Sequence, residues 1–314
     1  MFISQPYEDE LLSSFLIRIA HKNHTNISTI INSIFKGNKL AEHSSKFHIK
    51  DVDLYDLDKT QQKLFYKKMG HKADSLQLFN YIGFLDEKVD RYNKKWISEI
   101  KATRHNSKHF YATRYCPLCL KEKPYISRFW RIMFYNTCHK HNSYLRVVCP
   151  KCNAKFMYFN NEYSKEIYQC YNCSYDLRNS PTMKAKAKDI RSQKKLLKIL
   201  EVGYYKLNSR IYYSMGLFVL IKKMLHTIMK IKKIKVKYIN ELTPLELSRM
   251  ITHVMFLFEK FPERLNRFYK RNKLTNISKI LSWDEKDKGN FILPSWYMSN
   301  LEYRALTKIG KKRN

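Results

Sequence analysis

Glycine is scarce in this chain, with seven in 314 residues, and no glycine-rich loop of the kind that cradles nucleotide phosphates can be found. Long apolar runs are also missing. "LFVLI" at 217–221 is typical of the longest, whereas a bilayer-crossing helix needs about 20 apolar residues in succession. The opening "MFISQPYEDE" has neither the basic nor the apolar region of a secretory leader. These absences lead us to expect a protein of the cytoplasm with no membrane partner. Catalytic constellations are lacking as well: the 11 histidines are scattered, and "DVDLYDLD" at 51–58 has no glycine and no closing glutamate of a calcium loop. That stretch reads as a solvated acidic segment, and we expect no enzyme. Acidic residues are the last shortage. Asp and Glu number 27 against 60 Lys and Arg, a net charge of +33.

Apolar residues make up 44% of the chain, with 18 Phe and 23 Tyr, enough to fold two or three small domains. The positive charge is unevenly placed. Residues 1–60 hold 7 basic and 8 acidic side chains, whereas Met183 to Lys237 hold 16 basic ones against Asp189 and Glu201. AT-rich coding explains a preference for Lys over Arg but not the missing counter-charge. Such a field favours a polyanion. The candidates for nucleic-acid contact are Lys184, Lys186, Lys188, Arg191, Lys194, Lys195 and Lys198, together with Arg128 and Arg131, which flank Phe129 and Trp130. The two rings are expected to pack behind a metal knuckle, with the arginines facing phosphate.

All seven cysteines fall between 116 and 173. Cys116 and Cys119 form a CxxC, and Cys138 and His141 a CxxH. Cys149 with Cys152, and Cys170 with Cys173, form two further CxxC pairs. Two such pairs close a tetrahedron about Zn²⁺ and leave no position for water. The chain therefore reads as two structural zinc sites, Cys116, Cys119, Cys138, His141 and then Cys149, Cys152, Cys170, Cys173. "CHKH" also offers His139, but the CxxH spacing favours His141. Disulfides are the competing reading. Seven is an odd number, and adjacent CxxC cysteines make poor structural bridges.

The same stretch carries a resemblance. "YCPLCL" (115–120), Trp130, "CHKHNSYL" (138–145) and "CPKC" (149–152) resemble the double zinc-finger region of the TniQ/TnsD family of transposition target-selection proteins. "PYEDELLSSFLIRIAHKN" resembles that family's opening, and "FEKFPERL" at 258–265 its later aromatic-Pro element, with Phe261-Pro262 in place of a Trp-Pro. The resemblance implies a non-catalytic adaptor of the shorter, TniQ-like kind. Such proteins bind a target platform, either a CRISPR effector complex with its guide RNA or attachment-site DNA. They recruit an AAA+ transposition ATPase, and a homodimer is implied. A zinc-finger regulator of DNA or RNA without transposition partners is the alternative.

The expected fold is mainly α with small zinc-ribbon or zinc-finger modules. It comprises an N-terminal helical, helix-turn-helix-like domain (1–105), a tandem zinc-finger region (106–180) and a basic C-terminal helical region (181–314). Helices are expected over 8–22, through Ile30–Phe35, from Ser75, over 187–207 and over 210–235. "TPLELSRMITHVMFLFEKFP" is the clearest, with Thr243 as N-cap, Pro244 at N1 and Glu246 completing a capping box. The near-neutral N-terminal helices look suited to protein contact. The zinc region is expected to be held by metal rather than by a large core.

Overall fold

A computed structural model describes residues 2–35, 57, 59–72, 76, 113–158, 165–207, 210–236 and 239–274. It is mostly helical. The helix begun at Ser75 and the acidic stretch at 51–58 fall outside these residues, apart from Leu76 and Leu57, which are both buried.

Three helices come first: α1 (Leu12–Lys22), α2 (Ile27–Phe35) and α3 (Lys59–Met69). Leu12, Phe15, Leu16, Ile19 and Ala20 of α1 share a core with Ile30, Ile31, Ile34 and Phe35 of α2 and Phe65 and Met69 of α3. Leu11 and Ile17, on the other side of the same segment, belong to a second and larger core. Every residue from Leu11 to Ile17 is therefore buried, each large apolar side chain contributing about 1.5–3 kcal/mol. α1 is thus enclosed from two sides. The sequence reading passed over α3, although Phe65 and Met69 stand at the i, i+4 spacing of a buried helical face.

The cysteine-rich region has the small elements expected of it: α4 (Pro117–Glu122), a 3₁₀ turn at Arg128–Arg131, a short antiparallel pair β1 (Thr137–Cys138) and β2 (Ser143–Tyr144), and a 3₁₀ turn at Leu177–Asn179. Contrary to expectation, it is not held by its cysteines alone. Tyr115, Trp130, Met133, Phe134 and Tyr135 are essentially fully buried. They continue into a core with Leu196 and Leu200, Leu217 to Met229, and Leu247 to Tyr269. This core runs through the boundary expected at 180. Across it, the Tyr144 hydroxyl donates to the buried Asp189 carboxylate at 2.5 Å, and the Asn136 N–H donates to Gln193 Oε1 at 2.7 Å.

The C-terminal elements are α5 (Ala187–Val202), a hairpin β3 (Tyr204–Leu207) and β4 (Arg210–Tyr213), α6 (Ser214–Ile231), α7 (Pro244–Glu259) and α8 (Glu263–Arg271). The hairpin corrects the sequence reading, which ran helices across 203–213. Gly203 adopts φ +81°, and its N–H donates to the Ile199 carbonyl at 3.0 Å, closing α5 with a left-handed cap. The aromatic runs Tyr204-Tyr205 and Tyr212-Tyr213 then prefer extended backbone. At α7 the capping box is present: the Glu246 N–H donates to Thr243 Oγ1 at 3.3 Å, and the Thr243 N–H donates to Glu246 Oε2 at 2.9 Å. α8 went unforeseen. α7 packs against α5, α6 and α8.

Candidate metal centres and basic groove

Three of the four cysteine knuckles use one turn. After Cys138, Cys149 and Cys170, the residue four positions on donates its N–H back to the first cysteine's carbonyl, at 2.8, 2.9 and 2.8 Å. That residue is Asn142, Asn153 or Ser174, with φ of 51°, 57° and 56°. Left-handed backbone disfavours most side chains, and Asn tolerates it best after glycine. The fourth knuckle is different. Cys116 is the N-cap of α4, Pro117 takes the first helical position, and the turn of helix swings Cys119 round beside Cys116.

The eight residues expected as ligands come together in two groups of four, Cys116, Cys119, Cys138, His141 and Cys149, Cys152, Cys170, Cys173. Within each group the ligand atoms all lie within 4.8 Å of one another. In the first, Cys119 Sγ is 3.5 Å from Cys138 Sγ, and His141 Nδ1 lies 3.6, 3.2 and 3.5 Å from the three sulfurs. In the second, Cys149–Cys173 and Cys152–Cys170 are separated by 3.7 and 3.6 Å. A disulfide needs about 2.05 Å. A tetrahedral ion at about 2.3 Å from each sulfur sets neighbouring sulfurs about 3.8 Å apart. The observed separations fit the edges of such a tetrahedron, so each set can hold one metal ion.

Electrostatics favours the same conclusion. Hydrogen bonds from Cys119 and Cys138 hold the Cys116 thiol far down, at about 2, while the same contacts push Cys119 up. Thiolates this close repel, and a divalent cation is what allows all of them to ionise. His141 turns Nδ1 to the sulfurs and Nε2 to Glu122 Oε1 at 2.7 Å. A carboxylate on the far nitrogen fixes the tautomer of a ligating imidazole. His139 is engaged elsewhere: its Nδ1 meets the Tyr135 hydroxyl at 2.8 Å and its ring lies edge-on to Phe129.

The first set is gripped by the N-terminal segment. The Leu11 N–H donates to the Ile126 carbonyl at 2.9 Å, and the Arg128 N–H to the Asp9 carbonyl at 2.8 Å. The Asp9 carboxylate accepts from the hydroxyls of Tyr125 and Ser127, and Lys140 lies 3.6 Å away. Glu10 is fully buried. It accepts a two-pronged contact from Arg18 at 2.7 Å per oxygen, and also the Ser14 hydroxyl at 2.8 Å. Further along α1, the Ser13 and Tyr158 hydroxyls meet at 2.7 Å. The sequence "YEDELLSSFLIR" is thus a clamp that joins the helical trio to the first cysteine set.

The candidate nucleic-acid residues do not form one patch. Phe129 and Trp130 are buried as expected. Arg131, however, is 0% exposed; a guanidinium with no surface cannot meet a phosphate, so that expectation is corrected. Arg128 is half-buried. Lys184, Lys186 and Lys194 are exposed, and Lys198 is exposed but paired with Glu201 at 3.0 Å. Lys188, Arg191 and Lys195 stand on one face of α5 and line a groove of about 630 Å³ together with Lys232, Arg249, His253 and Phe256. The last four went unremarked in the sequence. They lie 30 residues or more beyond the end of α5, and only the packing of α5, α7 and the end of α6 brings them to it.

Among the described residues, no helix is long and apolar enough to cross a membrane. A family model described as TniQ matches residues 1–145, a span that contains the clamp and the first cysteine set and ends before the second. No curated protein matches the chain. Residues 1–145, just under half of the chain, are thus similar to the TniQ family.

Proposed function

We propose that this protein is a non-catalytic adaptor that selects the insertion site of a transposon. The TniQ match over the clamped N-terminal unit carries the reading; it supports a role associated with transposition. In this reading the chain holds a target platform, a CRISPR effector ribonucleoprotein or attachment-site DNA, and recruits an AAA+ ATPase that licenses insertion. Both metal sets would hold structural Zn²⁺. Each supplies four protein donors, rich in thiolate, which suits zinc and leaves no coordination position for a substrate. Seven unpaired thiols suit the reducing cytoplasm. The basic groove also supports a second reading, a zinc-finger regulator of nucleic acid with no transposition partner.

Co-purification with an AAA+ transposition ATPase and with a CRISPR effector, and an insertion assay with and without the chain, separate the two. The adaptor reading expects stable association and targeted insertion that needs this protein. Association with neither partner, and insertion undiminished without the chain, would overturn it. Light-scattering mass measurement on the purified chain tests for the homodimer.

A further inference from the structure

The groove between α5 and α7 has features that a merely solvated basic surface lacks. Lys188, Arg191 and Lys195 line one wall and Arg249 the other, with Lys232 just beyond the end of α6. Among the described residues none of these five cations is paired with a carboxylate. The one acid on the lining, Glu259, is taken by Arg264 at 2.7 Å. The charge is therefore uncompensated inside a concavity, where a low-dielectric wall strengthens its pull on an anion. Phe256 lines the same groove and is 48% exposed. The Arg264 guanidinium sits 3.8 Å from its ring centroid and donates to the Phe256 carbonyl at 2.9 Å, so the ring is held from behind rather than free. His253 adds a third feature. Burial, then Lys232 and Lys188, lower the pKa of this ring on the groove's lining.

We propose that this groove binds single-stranded nucleic acid, with the backbone phosphates along Lys188, Arg191, Lys195, Lys232 and Arg249 and one unpaired base stacked on Phe256. A basic track interleaved with a presented aromatic is how a protein holds single strands without reading sequence. A duplex offers phosphates but no base face, so Phe256 distinguishes the two. The inference deepens the reading of the chain as a partner of a nucleic-acid platform and rests on it for biological meaning. Its test needs no other component.

The full-length, metal-loaded protein is titrated with labelled 20-mers of dT and of U and with a 20-bp duplex, at several salt concentrations. Lys188→Glu with Arg249→Glu is expected to weaken both single strands at least tenfold and to flatten the salt slope. Phe256→Leu is expected to weaken single strands about tenfold and to leave the duplex unchanged. Lys67→Glu with Lys68→Glu on α3, an equal charge change far along the chain, is expected to shift binding less than twofold. The groove is refuted if the α3 pair loses as much as the groove pair, or if Phe256→Leu leaves single-strand binding unaltered. Should a charge reversal lower the melting temperature, photo-crosslinking of a 4-thiouridine 20-mer to the wild-type chain decides. Adducts within 187–202 or 244–259 support the groove, and adducts confined to peptides outside both overturn it. If oligonucleotides bind as described while insertion proceeds without the protein, the adaptor reading fails and the groove stands. If the titrations refute the groove while insertion still depends on the protein, the reverse holds.

Discussion

The Cys116 set and the Cys149 set are built from nearly the same turns and spacings, and they sit in the chain quite differently. The first is approached from every side. Glu122 braces its histidine, Asp9 and Glu10 tie the N-terminal segment to its flank, and β1 packs on α5. The second is framed mainly by its own two knuckles, which repeat one another. Cys149 N–H donates to the Ala154 carbonyl and Cys170 N–H to the Tyr175 carbonyl, at 2.8 and 2.9 Å. Its links outward run through Tyr115, whose hydroxyl reaches the Val148 carbonyl and Ser180, through Tyr158, which meets Ser13, and through the Leu177–Asn179 turn, which packs on α4. The family match ends at 145, between the two. Similar ligand spacing therefore does not mean similar mechanical weight. The first set is where two cores meet, and the second is a satellite on one of them.

That contrast can be broken at several points. Cys138→Ser should have the largest effect. Binding free energy at a structural zinc site is about 10–16 kcal/mol, comparable with the whole stability of a domain at about 5–15 kcal/mol. Loss of the first site should remove the cooperative melt of both cores, which calorimetry reads. Glu10→Gln should come next, at about 3 kcal/mol, because it leaves Arg18 facing half a partner in a buried setting; denaturant titration measures it. Cys170→Ser should drop the metal content from two per chain to one while most of the melt survives. An equal collapse for Cys138→Ser and Cys170→Ser would erase the distinction between hub and satellite. Glu122→Gln should loosen metal in the first set by about tenfold to a hundredfold and leave the second untouched, as chelator competition would show.

A smaller effect lies outside both sets and serves as a baseline. His253 has its pKa lowered from 6.5 by burial and then by Lys232 and Lys188. The unfolded chain binds more protons there than the folded one, so the stability tied to this residue is present above about pH 6.5 and is lost as pH falls through the folded pKa. His253→Gln should flatten that slope in thermal melts between pH 7 and 5.

Much of this was legible in the residues. The ligand sets follow from spacing, and the α7 start follows from Thr243, Pro244 and Glu246, because both are local chemistry with few alternatives. Gly203 and the paired tyrosines after it also carried a local signal, which a helical charge pattern masked. The clamp was visible only as a string of letters. Nothing in "YEDELLSSFLIR" says that Asp9 will meet Tyr125 or that Ser13 will meet Tyr158, since those partners are more than 110 residues away. Arg131 misled for the same reason. Arginine is usually exposed, and burial is decided by what packs over it. The groove needed two helices and the end of a third to be brought together.

The distance between Ser13 and Tyr158 has a consequence during synthesis. A ribosome adds about 5–20 residues each second, so the N-terminal helices leave the tunnel about 7–30 s before their last partner does. Through that interval the apolar faces of α1 have at most one of their two cores to enter. A nascent chain of this protein is therefore a natural client for a holding chaperone, and slowing translation before residue 158 should raise the share of product that aggregates.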